Sequence, residues 1–159
     1  TMEITKSWRK LLHEKINDEY VERSGDEPLL LGFPDEGAIK VRLLEDIKKY
    51  KEKWYKSIGI ITRTVKETKE AYSFLKDKVH IKAILKDEDE NVSDNMIIPA
   101  YLAKGLEFDV VIIYNAGDEN YGSEEERLLL YTACTRALHV LCIYYSGKIT
   151  PLLKEAVFW

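Results

Sequence analysis

Residues 103–109 carry side chains that could bind a nucleotide at the start of a strand. The segment reads Ala-Lys-Gly-Leu-Glu-Phe-Asp and runs directly into an apolar stretch. The carboxylate of Glu107 could accept hydrogen bonds from ribose hydroxyls, and Gly105 would let the backbone approach a ligand closely. Ligands of open α/β sheets gather at sheet edges, and such a turn would lie at one. The alternative is that Gly105 only turns the chain and that Glu107 is a solvated surface charge.

A second segment, residues 131–137, places an arginine at the end of an apolar helix. It reads Tyr-Thr-Ala-Cys-Thr-Arg-Ala, and Arg136 stands just before the next apolar run. From this position the planar guanidinium could reach over a sheet edge and hold a phosphate with two hydrogen bonds. The alternative is a structural role, in which Arg136 caps helix carbonyls and complements the helix dipole. The pattern alone leaves both roles open.

Alternating strands and helices must position these two segments. Apolar runs predict strands at 58–62, 79–85, 96–101, 109–114 and 140–145, with an edge strand at 37–41. Helical spacing predicts helices at 4–21, 42–55, 123–137 and 151–158, and Trp54 falls on the apolar face of the second. Capping boxes, Thr64 with Glu67 and Ser123 with Glu126, predict where two helices begin, the first of them directly after strand 58–62. Residues 86–94 are polar and acidic, which is typical of a loop. This order predicts one α/β domain, residues 1–159, with a mostly parallel sheet and helices on both faces.

The composition excludes several classes of protein. The 159 residues are 45% hydrophobic and 33% charged, and no apolar run approaches the ~20 residues that cross a bilayer. Without a secretory signal, the chain is expected to be cytoplasmic. Its net charge of −4 gives no global attraction to DNA, so any nucleic-acid contact would have to be local. Cys134 and Cys142 match no zinc spacing and are interpreted as buried reduced thiols, and no metal site is predicted.

Taken together, the two segments resemble motifs V and VI of superfamily 1A helicases, the group that includes UvrD, Rep and PcrA. Lys104–Phe108 is similar to motif V, and Tyr131–Ala137 is similar to motif VI. Two supporting matches stand in the family's order, since Thr5–Arg9 resembles motif IV and Ile58–Thr64 resembles motif IVa. The sequence around these motifs looks most like the HelD, or helicase IV, branch.

The resemblance implies a RecA-like fold and the second motor domain of an ATP-dependent DNA helicase. Arg136 would be an arginine finger on the γ-phosphate of ATP, and Arg9 would be a second γ-phosphate contact. Glu107 would hold the ribose, beside the turn formed by Lys104 and Gly105. The ATP and its Mg²⁺ would be bound mainly by the protein's own N-terminal motor domain, which would be this chain's first partner.

The resemblance also implies contacts with single-stranded or duplex DNA, and here the chain departs from the family. Arg63, which follows the motif IVa strand, would contact the strand backbone, with a solvated arginine as the alternative. The family's motif V carries a Thr and a His before the Lys-Gly pair, where this chain has Pro99 and Tyr101. Tyr101 could stack on a base, while the usual contacts are weakened.

Two further departures shape the functional hypotheses. No Gly-x-x-x-x-Gly-Lys-Ser/Thr loop occurs, and no apolar strand ends in a paired Asp-Glu. The chain, which begins with Thr1, is therefore expected to be a fragment that hydrolyses no ATP alone. The main hypothesis is movement on nucleic acid driven by ATP. The alternative, from a different class, is a HelD-like factor that binds RNA polymerase and uses ATP for remodelling.

Overall fold

The computed structural model describes residues 28–87 and 94–151, which build a six-stranded parallel sheet. In chain order the elements are β1 (Leu29–Phe33), α1 (Glu36–Glu52), β2 (Ile58–Thr62), α2 (Val65–Leu75), β3 (Lys82–Ala83), β4 (Asn95–Pro99), a short 3₁₀ helix (Ala100–Leu102), β5 (Phe108–Ile113), α3 (Glu125–Cys134) and β6 (Ala137–Ser146). All strand pairs are parallel, and the order across the sheet is β1-β6-β5-β2-β4-β3. The predicted parallel sheet is confirmed.

Alternate residues of the central strands face two different layers of helix. Ile60 of β2 and Ile112 of β5 pack with the apolar side chains of α1 and α2. Their neighbours Ile61 and Ile113 pack with those of α3 and the 3₁₀ helix. All five residues of β2 are buried, as expected for a strand that is covered on both faces. The prediction of helices on both faces is therefore confirmed.

The edge strand predicted at 37–41 is wrong, because these residues lie in α1. The side chain of Asp35 accepts a hydrogen bond from the amide of Ala38 at 2.8 Å and so caps the helix. Ile39 then opens a buried stripe that continues at Leu43 and Ile47. The helical period of apolar residues begins at Ile39, before the helix that was predicted to start at residue 42.

The other end of α1 was also predicted wrongly, since the helix ends at Glu52 and not at residue 55. Trp54 lies at helical spacing from Tyr50, but the chain leaves the helix before the indole can join that face. Tyr50 is buried, whereas Trp54 is 90% exposed. The backbone of Trp54 is left-handed, with φ of 72°.

Most remaining differences concern where elements begin and end. The strand predicted at 79–85 is only two residues long, and the one at 96–101 ends at Pro99. The helix predicted to reach residue 137 ends at Cys134, and the strand predicted at 140–145 spans 137–146. The helix predicted at 4–21, all but the first residue of the helix predicted at 151–158, and most of the loop at 86–94 lie outside the described residues.

Both predicted capping boxes form in part. Thr64 accepts a hydrogen bond from the amide of Glu67 at 3.1 Å, and α2 follows. The carboxylate of Glu67, however, accepts from the amide of Arg63 instead of that of Thr64. At α3 the carboxylate of Glu126 accepts from the amide of Ser123 at 3.1 Å, which is the returning half of the box. Each box therefore supplies one of its two bonds.

The two cysteines are buried free thiols, as predicted. Burial raises the pKa of the Cys142 thiol to about 11, and the hydrogen bond with Tyr50 acts against that shift. Burial also raises the pKa of Cys134. Both thiols are thus neutral packing groups at physiological pH. Within residues 28–87 and 94–151, none of the helices combines the length and the apolar character that crossing a bilayer requires.

Candidate functional site

The two segments singled out by the sequence meet at the amino ends of β5 and β6. The amide of Phe108 donates a hydrogen bond to the carbonyl of Arg136 at 2.9 Å. Phe108 is also in register with Ala137, the first residue of β6. Glu107 and Arg136 therefore stand directly before two adjacent strands at one edge of the sheet, which we call the amino edge. The rule on ligands in open α/β sheets applies to the opposite, carboxyl edge.

The turn that leads into β5 carries the other residues that were predicted to contact a nucleotide. Lys104, Gly105 and Glu107 are all exposed, whereas Phe108 is buried. Gly105 has φ of +85°, and a Cβ placed there would meet nothing within 4 Å. Its backbone conformation, and not lack of space, therefore requires a glycine. The turn presents a lysine and a carboxylate to solvent while Phe108 anchors it in the core.

We expect Gly105→Ala to destabilise the fold by about 1–2 kcal/mol, because a left-handed backbone is strained for any residue with a Cβ. Gly147→Ala is the matched control, since Gly147 has φ of +67°, has open space around it and follows β6 at the carboxyl edge. Urea denaturation of the isolated chain should give similar losses for the two variants.

If this turn takes part in ATP hydrolysis by the full-length protein, only Gly105→Ala should also lower the hydrolysis rate, because only Gly105 lies in the turn that carries Glu107. Equal hydrolysis rates in the two variants would show that the turn at Gly105 serves folding alone.

Arg136 lies between α3 and β6, and its side chain folds back over the end of the helix. Its Nε donates to the carbonyl of Thr132 at 3.1 Å, and Nη2 donates to the hydroxyl of Thr135 at 3.3 Å. The capping role that the sequence left open is therefore present. A guanidinium has five N–H donors, and these two hydrogen bonds leave further N–H groups that can face a ligand. Capping and phosphate binding are thus compatible at Arg136.

Arg63 lies at the carboxyl edge, where it is engaged by protein groups. Its Nε donates to the carboxylate of Glu126 at 2.8 Å and to the carbonyl of Asn120 at 3.1 Å. The side chain is only 30% exposed. The solvated arginine that was the alternative is therefore wrong, because Arg63 forms a half-buried ion pair. Contact with a nucleic-acid backbone would have to compete with Glu126.

Two carboxylates beside Arg63 have pKa values that are shifted in opposite directions. Burial raises the pKa of Glu67, against hydrogen bonds from the amide of Arg63 and the side chain of Asn120. Burial also acts to raise the pKa of Glu126, but hydrogen bonds from Arg63 and Ser123 outweigh it and lower that pKa. The ion pair therefore holds Glu126 ionised at neutral pH.

A cavity of about 620 Å³, which sequence reasoning did not predict, opens at the same carboxyl edge. It lies among the loops that follow β1, β5 and β6, and its polar lining includes Glu36, Asn115 and Lys148. The carboxamide oxygen of Asn115 accepts from the amides of Gly117 and Ser146, both at 3.0 Å. Asn115 therefore ties these loops together.

The predicted residues are thus divided between the two edges. Tyr101, in the 3₁₀ helix after β4, is 55% exposed and presents its ring to solvent, whereas Pro99 is buried. Base stacking on Tyr101 stays a prediction. Arg9 and the rest of the motif IV segment lie outside the described residues. The structure places Glu107 and Arg136 directly before adjacent strands at the amino edge, with Lys104 and Gly105 in the turn that leads to Glu107, and it places Arg63 at the opposite edge.

Comparison with known proteins links both segments, and the fold that carries them, to one family of domains. Residues 96–144, which contain both segments, match the family model of the UvrD-like helicase C-terminal domain. The structure is similar to the C-terminal domain of a possible DNA helicase from Lactobacillus plantarum WCFS1. That likeness has 32% sequence identity and a TM-score of 0.76, and it covers 96% of this chain and 89% of the other. The chain therefore belongs to the family of UvrD-like helicase C-terminal domains, and its fold is RecA-like.

A more distant likeness concerns the fold alone. The Arterivirus nonstructural protein 10 helicase, solved in complex with DNA, aligns with a TM-score of 0.52 and 11% identity. The alignment covers 88% of this chain and 36% of that one. No curated protein matches the sequence. Placement in the HelD branch stays a prediction.

Proposed function

We propose that this chain is the second motor domain of an ATP-dependent superfamily 1 helicase. It would complete an ATP site whose phosphate-binding loop lies on another domain of the same protein. The observation that supports this most is the contact between the two segments at the amino edge, where the Phe108 amide meets the Arg136 carbonyl. It places a residue with a carboxylate and a residue with a guanidinium directly before two adjacent strands, which would suit a ribose and a phosphate of one nucleotide.

The proposed chemistry needs no general base from this chain. Phosphoryl transfer spreads negative charge over the γ-oxygens in the transition state, and a well-placed arginine stabilises that charge. Arg136 would supply this stabilisation and Glu107 would accept hydrogen bonds from the ribose, with Lys104 and Gly105 forming the turn before Glu107. Arg9 would be a second γ-phosphate contact. ATP with Mg²⁺ would bind mainly to the N-terminal motor domain, and closure of the two domains would couple hydrolysis to movement on DNA.

Two observations favour a second candidate, a HelD-like factor that remodels RNA polymerase. Arg63 is engaged by Glu126, and Pro99, where the family carries a polar residue, is buried. Both would weaken the usual contacts with a DNA strand. The ATP site would be the same in either case. Capture of RNA polymerase by the full-length protein, assayed beside strand unwinding, would distinguish the two functions.

We expect the isolated 159-residue chain to show no magnesium-dependent ATP turnover. Exposed lysine and carboxylate groups leave a triphosphate largely in water without a phosphate-cradling loop. The measurement is phosphate release at millimolar ATP, with the Arg136→Ala chain purified in parallel to give the contaminating rate. A rate in the parent chain that exceeds this control would contradict the divided site.

A further inference from the structure

Trp54 stands out because both its backbone and its side chain are in unfavourable states. The indole is 90% exposed, and φ of 72° makes Trp54 the one described non-glycine residue with a left-handed backbone. Large apolar side chains are usually buried, and the left-handed region strains any residue that has a Cβ. A strained and exposed tryptophan points to a function outside the fold.

The local hydrogen bonds show that glycine would suit this position better. The amide of Trp54 donates to the carbonyl of Lys51 at 3.1 Å, and that of Tyr55 donates to the carbonyl of Tyr50 at 3.3 Å. These are the two bonds of a Schellman motif, which usually ends a helix with a left-handed glycine. The fold therefore explains the backbone turn but not the indole that the turn carries.

The segment around Trp54 is strongly basic, although the chain as a whole is acidic. Residues 48–56, which we call the Trp54 patch, contain one glutamate, Glu52, and five lysines, namely Lys48, Lys49, Lys51, Lys53 and Lys56. The patch has a net charge of +4, so with −4 overall the other residues carry −8. All five lysines are exposed, and in the described part of the chain none of them pairs with a carboxylate.

Neighbouring contacts place the Trp54 patch at the amino edge of the sheet. The amide of Lys56 donates to the carboxylate of Asp109 at 2.7 Å. The ring of Tyr55 stacks on His139 of β6, with 6.1 Å between the ring centroids. The patch thus borders the turn that carries Glu107, and it lies on the opposite edge from Arg63.

We propose that the Trp54 patch binds single-stranded nucleic acid without sequence preference. One base would stack on the indole, and the lysines would neutralise the phosphates on either side of it. Aromatic rings interleaved with basic residues are how proteins hold single strands. A duplex keeps its bases stacked inside, whereas a single strand offers both unpaired bases to the indole and phosphates to the lysines. This inference is independent of the proposed ATP chemistry, because it would hold even if Arg136 were only a helix cap.

The direct test is fluorescence anisotropy of a labelled oligothymidylate about twelve nucleotides long, within the range of known site sizes. Binding to about four lysines predicts a logarithmic salt slope of about −3, so that affinity falls about fiftyfold between about 50 and 200 mM salt. Trp54→Gly should weaken binding about tenfold, as expected for the loss of one stacked base. The same substitution should raise the melting temperature by about 2–4 °C, because it relieves the strained backbone.

A charge-matched pair of variants separates the patch from general electrostatics. Lys51→Gln with Lys53→Gln should reduce the affinity and flatten the salt slope by about 1.4. Lys66→Gln with Lys69→Gln removes the same charge from exposed positions of α2 and should change neither.

Three results would overturn the proposal: no binding at low salt, equal losses in the two lysine pairs, or unchanged affinity in Trp54→Gly. Equally tight binding of duplex DNA or of free ATP would also overturn it, by assigning the patch to a different ligand.

Discussion

Arg136→Ala should lower the ATP turnover of the full-length protein by ~10²-fold or more, while nucleotide affinity changes far less. An arginine finger acts mainly on charge that develops in the transition state, so its loss reduces the rate more than the binding. The same change removes the bonds to the carbonyl of Thr132 and to the hydroxyl of Thr135. Loss of these bonds should cost about 1–2 kcal/mol of stability, or about 2–8 °C in melting temperature.

Arg136→Lys separates the two roles of this residue. A lysine can still donate one hydrogen bond to a helix carbonyl, so most of the lost stability should return. It lacks the planar fork that grips two γ-oxygens, so the rate should recover little. Thermal melting and steady-state hydrolysis of both variants provide the measurement. Normal turnover in Arg136→Ala, together with a lowered melting temperature, would leave Arg136 as a structural cap only.

Gly59→Ala should destabilise the domain by about 1–3 kcal/mol through overpacking. Gly59 is a buried residue of β2, and a Cβ there would come within 2.4 Å of the Phe108 ring. Phe108 is the last residue of the Lys104–Phe108 segment, and its ring lies over Gly59. The ring therefore holds the exposed turn against the sheet. The glycine in the strand and the phenylalanine at the site are therefore one packing unit.

A double-mutant cycle with Phe108 tests this contact. Phe108→Ala alone should cost about 3–5 kcal/mol. In that background Gly59→Ala should be neutral or stabilising, because alanine is favoured over glycine in a strand by about 0.5–1 kcal/mol. Urea denaturation of the four proteins gives the coupling energy, and Phe108→Leu provides a milder background. An unchanged cost of Gly59→Ala after removal of the ring would refute the contact.

The central strands could be predicted because local sequence and tertiary environment agree there. β2 and β5 are rich in β-branched residues, and such segments suit strands that are buried on both faces. Thr64 could be predicted as the cap of α2 because its hydrogen bond with the amide of Glu67 joins residues that are close in sequence. The association of residues 103–109 with residues 131–137 came from resemblance. Periodicity does not specify which strands pair, and the contact between β5 and β6 depends on the order of the sheet.

The arrangement of the two edges could have been predicted from connectivity. Arg63 follows β2, whereas Glu107 and Arg136 precede β5 and β6. In a parallel sheet, residues after strands and residues before strands lie at opposite edges. The fold alone therefore separates Arg63 from the other two.

The Trp54 patch does not show in the net charge of the whole chain, because the other residues carry a net charge of −8. A nine-residue window would have revealed the +4 segment within the −4 chain. The exposure of Trp54 could not be predicted in this way, because its helical spacing from Tyr50 favoured the apolar face. Only the end of α1, where the backbone turns left-handed at Trp54, decides where the indole points.

The most direct test of the central claim is the affinity of the full-length protein for ADP with aluminium fluoride. This complex imitates the γ-phosphoryl group in the transition state of its transfer. If Arg136 reaches across to ATP on another domain, the parent should bind the fluoride complex more tightly than ADP alone. Arg136→Ala should lose about 10²-fold of that extra affinity, while its affinity for ADP stays nearly unchanged. Equal retention by the parent and by Arg136→Ala would contradict the account and leave the amino edge without a catalytic role.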